Sequence, residues 1–170
     1  MSILDQIKEH VGSGRLFALY PSNEIRANQV PLSKRRQLYV TPQIEAFIKS
    51  NRHLAAETEQ DLDEIMLGER FDVALESNHQ YCRMARLLPA IEEVWEIRIY
   101  DTTPQLRLFG RFAYRDVFVA LIGPIGRIKR TLNWKGIKRQ CIKDWQGLFT
   151  YSPVSNGDDI DDYLTNVDLV

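Results

Sequence analysis

The groups in this chain best suited to hold a phosphate are arginines on two stretches of alternating residues. Arg98 lies in Val94–Tyr100, where Val94, Glu96, Arg98 and Tyr100 alternate with Trp95, Ile97 and Ile99. A period of two predicts a strand with the indole and isoleucines on one face and Glu96 and Arg98 on the other. Arg107 and Arg111 fall on a second predicted strand, Gln105 to Phe112. If the two strands are neighbours and Arg98 and Arg107 share a face, their forks can clasp one phosphate through paired hydrogen bonds. Lys129 and Arg130 would extend that cationic groove, and Tyr114 or Tyr100 could exchange a proton or stack a base. Each assignment has a plainer alternative. Arg98 can pair with Glu96, since charged strand residues commonly pair across a sheet. Arg107 and Arg111 can lie on a solvated strand face, and Arg127, Lys129 and Arg130 in an ordinary surface loop.

The elements that position these groups are readable from periodicity. Arg36 to Thr41 predicts a strand from its β-branched and aromatic content. Thr41-Pro42 then starts a helix over residues 42–50, with Ile44, Phe47 and Ile48 on one face. A second helix is predicted from His53 to Leu67, with Leu54, Leu62, Ile65 and Met66 inward, an acidic outer face, and Gly68 just past its end. Cys82 to Leu88 reads as a strand. Tyr114 to Ile122 reads as a central one, apolar from Val117 onward and stopped by Gly123-Pro124. Trp134, Ile137, Cys141, Trp145 and Leu148 recur at three- and four-residue steps, the pattern of a one-faced helix. Strands that follow one another without intervening helices imply an antiparallel meander, hence an α+β domain over residues 36–150.

Both ends read as additions to that domain. Ser2 and Asp5 open a predicted helix carrying Ile3, Leu4, Ile7 and Val11, stopped at Gly12-Ser-Gly14. With the polar residues 22–35, it is expected to form an N-terminal arm and linker. Residues 151–170 are expected to be a flexible acidic tail, with two further options: covering the protein's own basic groove, or touching a partner. The 170 residues hold 22 Lys and Arg against 23 Asp and Glu. Five of those aspartates lie in the last sixteen residues, which contain no Lys or Arg; without them the chain has 22 basic against 18 acidic residues, a net +4. A basic body with an acidic end suits a polyanion partner.

Composition excludes other classes. With 44% hydrophobic and 26% charged residues, the chain can bury a single core. No run of about 18 apolar residues is present, so no membrane span is expected, and the charged N-terminus is unlike a secretion signal. The cytoplasm is the expected location. Two cysteines, Cys82 and Cys141, supply neither a disulfide framework nor a zinc site and read as small buried hydrophobes. His53 and His79 read as surface residues, and Trp95, Trp134 and Trp145 as core. No glycine-rich phosphate loop is present, which removes kinases and GTPases. No His-x-Glu motif accompanies the cysteines, which removes zinc deaminases.

Taken together, Leu38-Tyr-Val-Thr-Pro-Gln-Ile-Glu-Ala-Phe47, the helical hairpin, Trp95-Glu-Ile-Arg98 and Arg107-Leu-Phe109 resemble the RelE/ParE toxin superfamily, in particular its HigB-like branch. The basic segment Arg127 to Arg130 matches the one that follows the apolar strand in that family. The resemblance spans residues 36 to 149 and implies a RelE/ParE-like fold. It also implies metal-free mRNA cleavage by the toxin of a toxin–antitoxin pair, without cofactor. Such cleavage deprotonates the 2′-hydroxyl, neutralises the crowded phosphate and protonates the leaving oxygen. On this resemblance Arg98, Arg107 and Tyr114 would be catalytic, and Arg111, Arg127, Lys129 and Arg130 would bind RNA, in the family ribosome-bound mRNA. A cognate antitoxin protein would block the groove. The alternative is a non-catalytic member that binds a gyrase-type target, an assembly partner or nucleic acid. The chain departs from the family pattern in two places. Gly-Pro-Ile-Gly and scattered cations replace a tight lysine pair, and the C-terminal half contains no histidine.

Overall fold

The computed structural model describes residues 1–50, 52–76, 81–126, 133–155 and 157–170. The chain opens with α1 (Ile3–Gly12), β1 (Phe17–Ala18) and α2 (Glu24–Gln29), then β2 (Gln37–Val40), α3 (Pro42–Ser50) and α4 (Arg52–Met66). There follow β3 (Asp72–Ala74), β4 (Met84–Arg86), β5 (Trp95–Ile99), β6 (Leu106–Tyr114) and β7 (Val117–Gly126). The long helix α5 (Trp134–Leu148) and the short β8 (Asp168–Leu169) complete it. The class is α+β. Among the described residues no helix is long and apolar enough to cross a membrane.

Local sequence accounts for the helix ends. Ser2 accepts a hydrogen bond from the Asp5 N–H while the Asp5 carboxylate accepts from the Ser2 N–H, so two orphan donors of α1 are satisfied reciprocally. Pro42 is the first residue of α3, as its fixed φ favours. The Thr41 hydroxyl, expected as the cap, instead donates to the Leu121 carbonyl on β7. Gly68 ends α4 at φ +73°, and a Cβ there would stand 2.0 Å from the Lys34 carbonyl oxygen, so only glycine fits.

One mixed sheet organises the molecule in the order β1-β2-β7-β6-β5-β4-β3-β8. The expected antiparallel meander is its centre, β4 through β7. It is not antiparallel throughout: β2 runs parallel to β7, and β3 runs parallel to both β4 and β8. The α3–α4 hairpin returns the chain to the sheet in β3 and β4, which run opposite to β2, and the three reversals from β4 to β7 then bring β7 parallel to β2.

Period-two alternation divides the side chains between two cores. Trp95, Ile97 and Ile99 of β5 pack with Leu38 and Val40 of β2, Ile44 of α3, and Leu62 and Ile65 of α4. On the opposite face Phe109 and Val119 pack with Ile7 of α1 and with Cys141 and Trp145 of α5. Each such fully buried aliphatic side chain contributes about 1.5–3 kcal/mol of hydrophobic stabilisation.

The two terminal segments differ from expectation. Residues 1–35 are not an appended arm. Ile7 and Leu16 are 1% and 0% exposed in the second core, and β1 extends the sheet through β2. Residues 22–35 carry α2 and a turn of 3-10 helix rather than an irregular linker. The C-terminal residues are likewise not a flexible tail. Tyr163 and Leu164 are buried in the first core, and β8 pairs with β3. Tyr163 packs tilted against Trp95 and edge-on to Phe112, at 4.9 and 5.6 Å between ring centroids, which anchors this polar segment in the core.

Candidate functional site

The pairing of β5 with β6 sets Arg98 directly opposite Arg107, on the sheet face that α5 partly covers. The two expected phosphate-binding guanidiniums therefore do meet. What lies between them is Glu96. Its Oε1 accepts from Arg98 Nε at 2.8 Å and Nη2 at 2.6 Å, and its Oε2 accepts from Arg107 Nη1. Glu96 is wholly buried and Arg98 is 5% exposed. Burial pulls the Arg98 guanidinium down, but the Glu96 carboxylate outweighs it and the pKa lies above its ordinary value. The trio is an internal ion cluster with one net positive charge, its carboxylate already occupying the position a phosphate would take.

Small residues and sulfur line the next positions of the same face. Ala85 is the register partner of Glu96, and Ala74 that of Ala85. Arg98 Nη1 lies 3.2 Å from the Cys82 sulfur, and the Tyr100 hydroxyl donates to the Cys82 carbonyl at 2.7 Å. Burial pushes the Cys82 thiol up, and pushes the Cys141 thiol up to about 12, so neither presents a thiolate at neutral pH. Among the described residues no group of His, Cys, Asp and Glu is placed to hold a metal ion.

The other expected site residues do not join this cluster. Tyr114 is 59% exposed at the far end of β6, seven residues from Arg107 and so on the order of 20 Å away along the strand. It cannot share a reacting phosphate with the arginine pair. Arg111 is buried rather than free for RNA: Nε donates to the Glu93 carbonyl at 3.3 Å, Nη2 to the Glu92 carbonyl, and the guanidinium stacks 5.6 Å from the Trp145 ring. Burial lowers its pKa. Gly110, one position before it, lies at an irregularity of the β6–β7 register, where a Cβ would stand 2.0 Å from the Val119 carbonyl oxygen. Arg127, Lys129, Arg130 and His79 lie outside the described residues, as does the side chain of His53.

A different set of cations is available to a ligand. Lys135, Arg139 and Lys143 are exposed on α5, at steps of four residues. None of them forms an ion pair with a described residue, whereas Lys138, on the flank, binds the Glu92 carboxylate at 2.7 Å. The helix is fixed beneath them by Cys141 and Trp145 in the second core and by Asn133, whose side chain accepts from the Gly136 N–H at 2.9 Å. Trp134, expected in the core, is 39% exposed at the start of this helix, its ring 5.4 Å from the Arg107 guanidinium and 5.9 Å from Phe109. The signal for this set was present in the sequence. Cations at i, i+4 and i+8 of a predicted one-faced helix fall within a narrow arc opposite its apolar residues.

The acidic C-terminal residues do not shield α5. Tyr163 anchors them in the first core, across the sheet from α5, and its hydroxyl donates to the Glu93 carboxylate at 2.9 and 3.0 Å. Asp158 binds Arg86 at 2.6 Å. Comparison of the chain with family models, with curated proteins and with solved structures finds no match.

Proposed function

We propose that this protein binds nucleic acid without cleaving it, docking the phosphate backbone on the solvent face of α5. The observation that carries the reading is how the cations are partnered. Arg98, Arg107 and Arg111 already serve internal acceptors, while Lys135, Arg139 and Lys143 face water without ion pairs among the described residues. Unpartnered cations at successive helical turns, about 6 Å apart along the axis, suit a polyphosphate chain better than a single anion. This is the non-catalytic form of the resemblance noted in the sequence.

A fluorescence anisotropy titration with labelled RNA tests it. Three phosphate contacts predict that log K falls with log salt at a slope of about −2. The triple variant Lys135→Glu, Arg139→Glu, Lys143→Glu should lose binding between roughly 50 and 200 mM salt while keeping its melting temperature. Binding untouched by the triple variant would reject α5 as the docking element.

One observation favours a second reading, the mRNA-cleaving toxin with its protein antitoxin: the register that sets Arg98 opposite Arg107. Its signature is growth arrest with cut transcripts on induction, abolished by Arg98→Ala with Arg107→Ala. Intact transcripts leave the binding reading standing.

A further inference from the structure

We infer that the cationic row of α5 runs on into the N-terminal segment, with Arg15 as its fourth member. Its ligand is then a nucleic-acid strand of about six nucleotides or more. This rests on the binding reading above and deepens it. The last carbonyls of a helix lack partners within it, and at the end of α5 two of them are met from the beginning of the chain. His10 Nε2 lies 2.6 Å from the Leu148 carbonyl oxygen, and Arg15 Nη2 donates to the Gly147 carbonyl at 2.8 Å. Gln6 fixes the same junction, its amide donating to the Thr150 hydroxyl at 2.8 Å and accepting from the Thr150 N–H at 3.2 Å. The Arg15 N–H itself donates to the His10 carbonyl at 2.8 Å. Arg15 is therefore tied to α5 through its side chain and to α1 through its backbone.

Gly147 stands four residues beyond Lys143, the step that already separates Lys135, Arg139 and Lys143. Arg15 thus brings a cation to the next turn of the row, where α5 has no side chain of its own. It is exposed and forms no ion pair with a described residue. The plainer role is that of a cation closing a helix C-terminus, which the helix dipole favours. That role uses one donor of the guanidinium and leaves the others to a phosphate. Asp144, the acidic residue of α5, is engaged by the Gln140 amide at 2.6 Å. From position 135 to position 147 the row measures about 18 Å at a rise of about 1.5 Å per residue. A strand carries one phosphate per about 3.4 Å of rise, so the row matches roughly six nucleotides. A single phosphate or a mononucleotide meets only one of its cations.

Full-length protein is titrated with labelled oligouridylate of about twelve nucleotides, twice the length of the row, at several salt concentrations. Three phosphate contacts on a single strand give a slope of log K against log salt of about −2, and four give about −3. The unmodified protein should show the steeper slope. Arg15→Gln should return it to about −2 and weaken binding, with the melting temperature little changed. The sharper variant adds Gly147→Lys to Arg15→Gln. A Cβ at Gly147 meets nothing within 4 Å, so the new side chain fits and puts a cation back at the fourth turn without the Arg15 hydrogen bond. It should recover the slope of about −3. A trinucleotide, which spans about half the row, should show about half the slope. Three results overturn the inference and leave docking on Lys135, Arg139 and Lys143 intact: a slope unmoved by Arg15→Gln, a loss that Gly147→Lys fails to recover, or a full slope with the trinucleotide. Undiminished binding by the Lys135→Glu, Arg139→Glu, Lys143→Glu variant, or no binding by the unmodified protein, overturns both readings.

Discussion

The arginines of the sheet and the cations of α5 share one side of the molecule and have opposite relations to solvent. Arg98, Arg107 and Arg111 lie in the sheet, bound by a carboxylate and by two backbone carbonyls. Lys135, Arg139 and Lys143 stand one layer further out, exposed and without an ion pair among the described residues. A charge removed from water must be paired, so a buried arginine is committed to its acceptor and is poorly placed to exchange it for a ligand. An exposed cation loses little when a phosphate replaces its counterions, and the release of those counterions drives binding. Basic residues alike in sequence thus separate into a set that holds the sheet and a set left exposed without an ion pair among the described residues.

The largest effect should come from breaking the buried set. Glu96→Ala leaves Arg98 and Arg107 facing each other in a site that admits almost no water. Removing one partner of a buried ion cluster costs about 3–5 kcal/mol, to be read from the midpoint of urea unfolding. A loss below about 1 kcal/mol would mean that water reaches the pair, and Arg98 and Arg107 would return as candidates for a phosphate.

How far these two sets could be told apart from sequence depended on where the deciding forces lie. Local forces left clear marks: Ser2 and Asp5 announced α1, Pro42 announced α3, and the spacing of Trp134, Ile137, Cys141, Trp145 and Leu148 announced α5. The alternation in Trp95–Ile99 correctly assigned both faces of β5. Tertiary forces left none. β1, β3 and β8 are two or three residues long and exist only through their pairing partners, so no periodicity marks them. The sequence assigns α4 an acidic outer face, yet Asp61 is 0% and Asp63 6% exposed. Asp63 accepts from the Ser22 N–H and hydroxyl, and Asp61 pairs with Arg83 at 2.6 Å. Such donors arrive from segments some twenty to forty residues away. Of the site itself, the convergence of Arg98 and Arg107 was legible, and so was the pairing of Arg98 with Glu96; the sharing of that carboxylate with Arg107 and the exposure of Trp134 were not, because both depend on what the opposing layers cover.

A middle-sized effect is expected where the C-terminal segment enters the first core. Tyr163→Phe removes the hydroxyl from the Glu93 carboxylate while keeping the ring against Trp95 and Phe112. The loss should be about 1–3 kcal/mol in urea unfolding, the cost of an unsatisfied buried acceptor. Burial already raises the Glu93 pKa above its ordinary 4.5, against the pull of Tyr163 and Arg86. A carboxyl raised in the folded state binds more protons there than in the unfolded chain, so its contribution to stability falls as pH climbs above 4.5. The variant should steepen that fall, since it removes a donor that favours the charged form.

The smallest effect, and the one of opposite sign in pH, belongs to the exposed end of the same segment. Arg70 Nε donates to Asp168 at 2.6 Å and its Nη2 to the other oxygen, clamping β8 to the residues that lead into β3. This hydrogen bonding holds the Asp168 carboxyl below its ordinary 3.8. A carboxyl lowered in the folded state stabilises above its unfolded pKa, and that support disappears as pH falls below 3.8 through the folded value. Asp168→Asn should therefore shift the melting temperature slightly at pH 6 and not at all near pH 2, with added salt shrinking the shift because both partners are solvated. A shift at pH 6 as large as that of Tyr163→Phe would place the clamp with the buried charges, and would make β8, rather than Tyr163, the main attachment of the C-terminal segment.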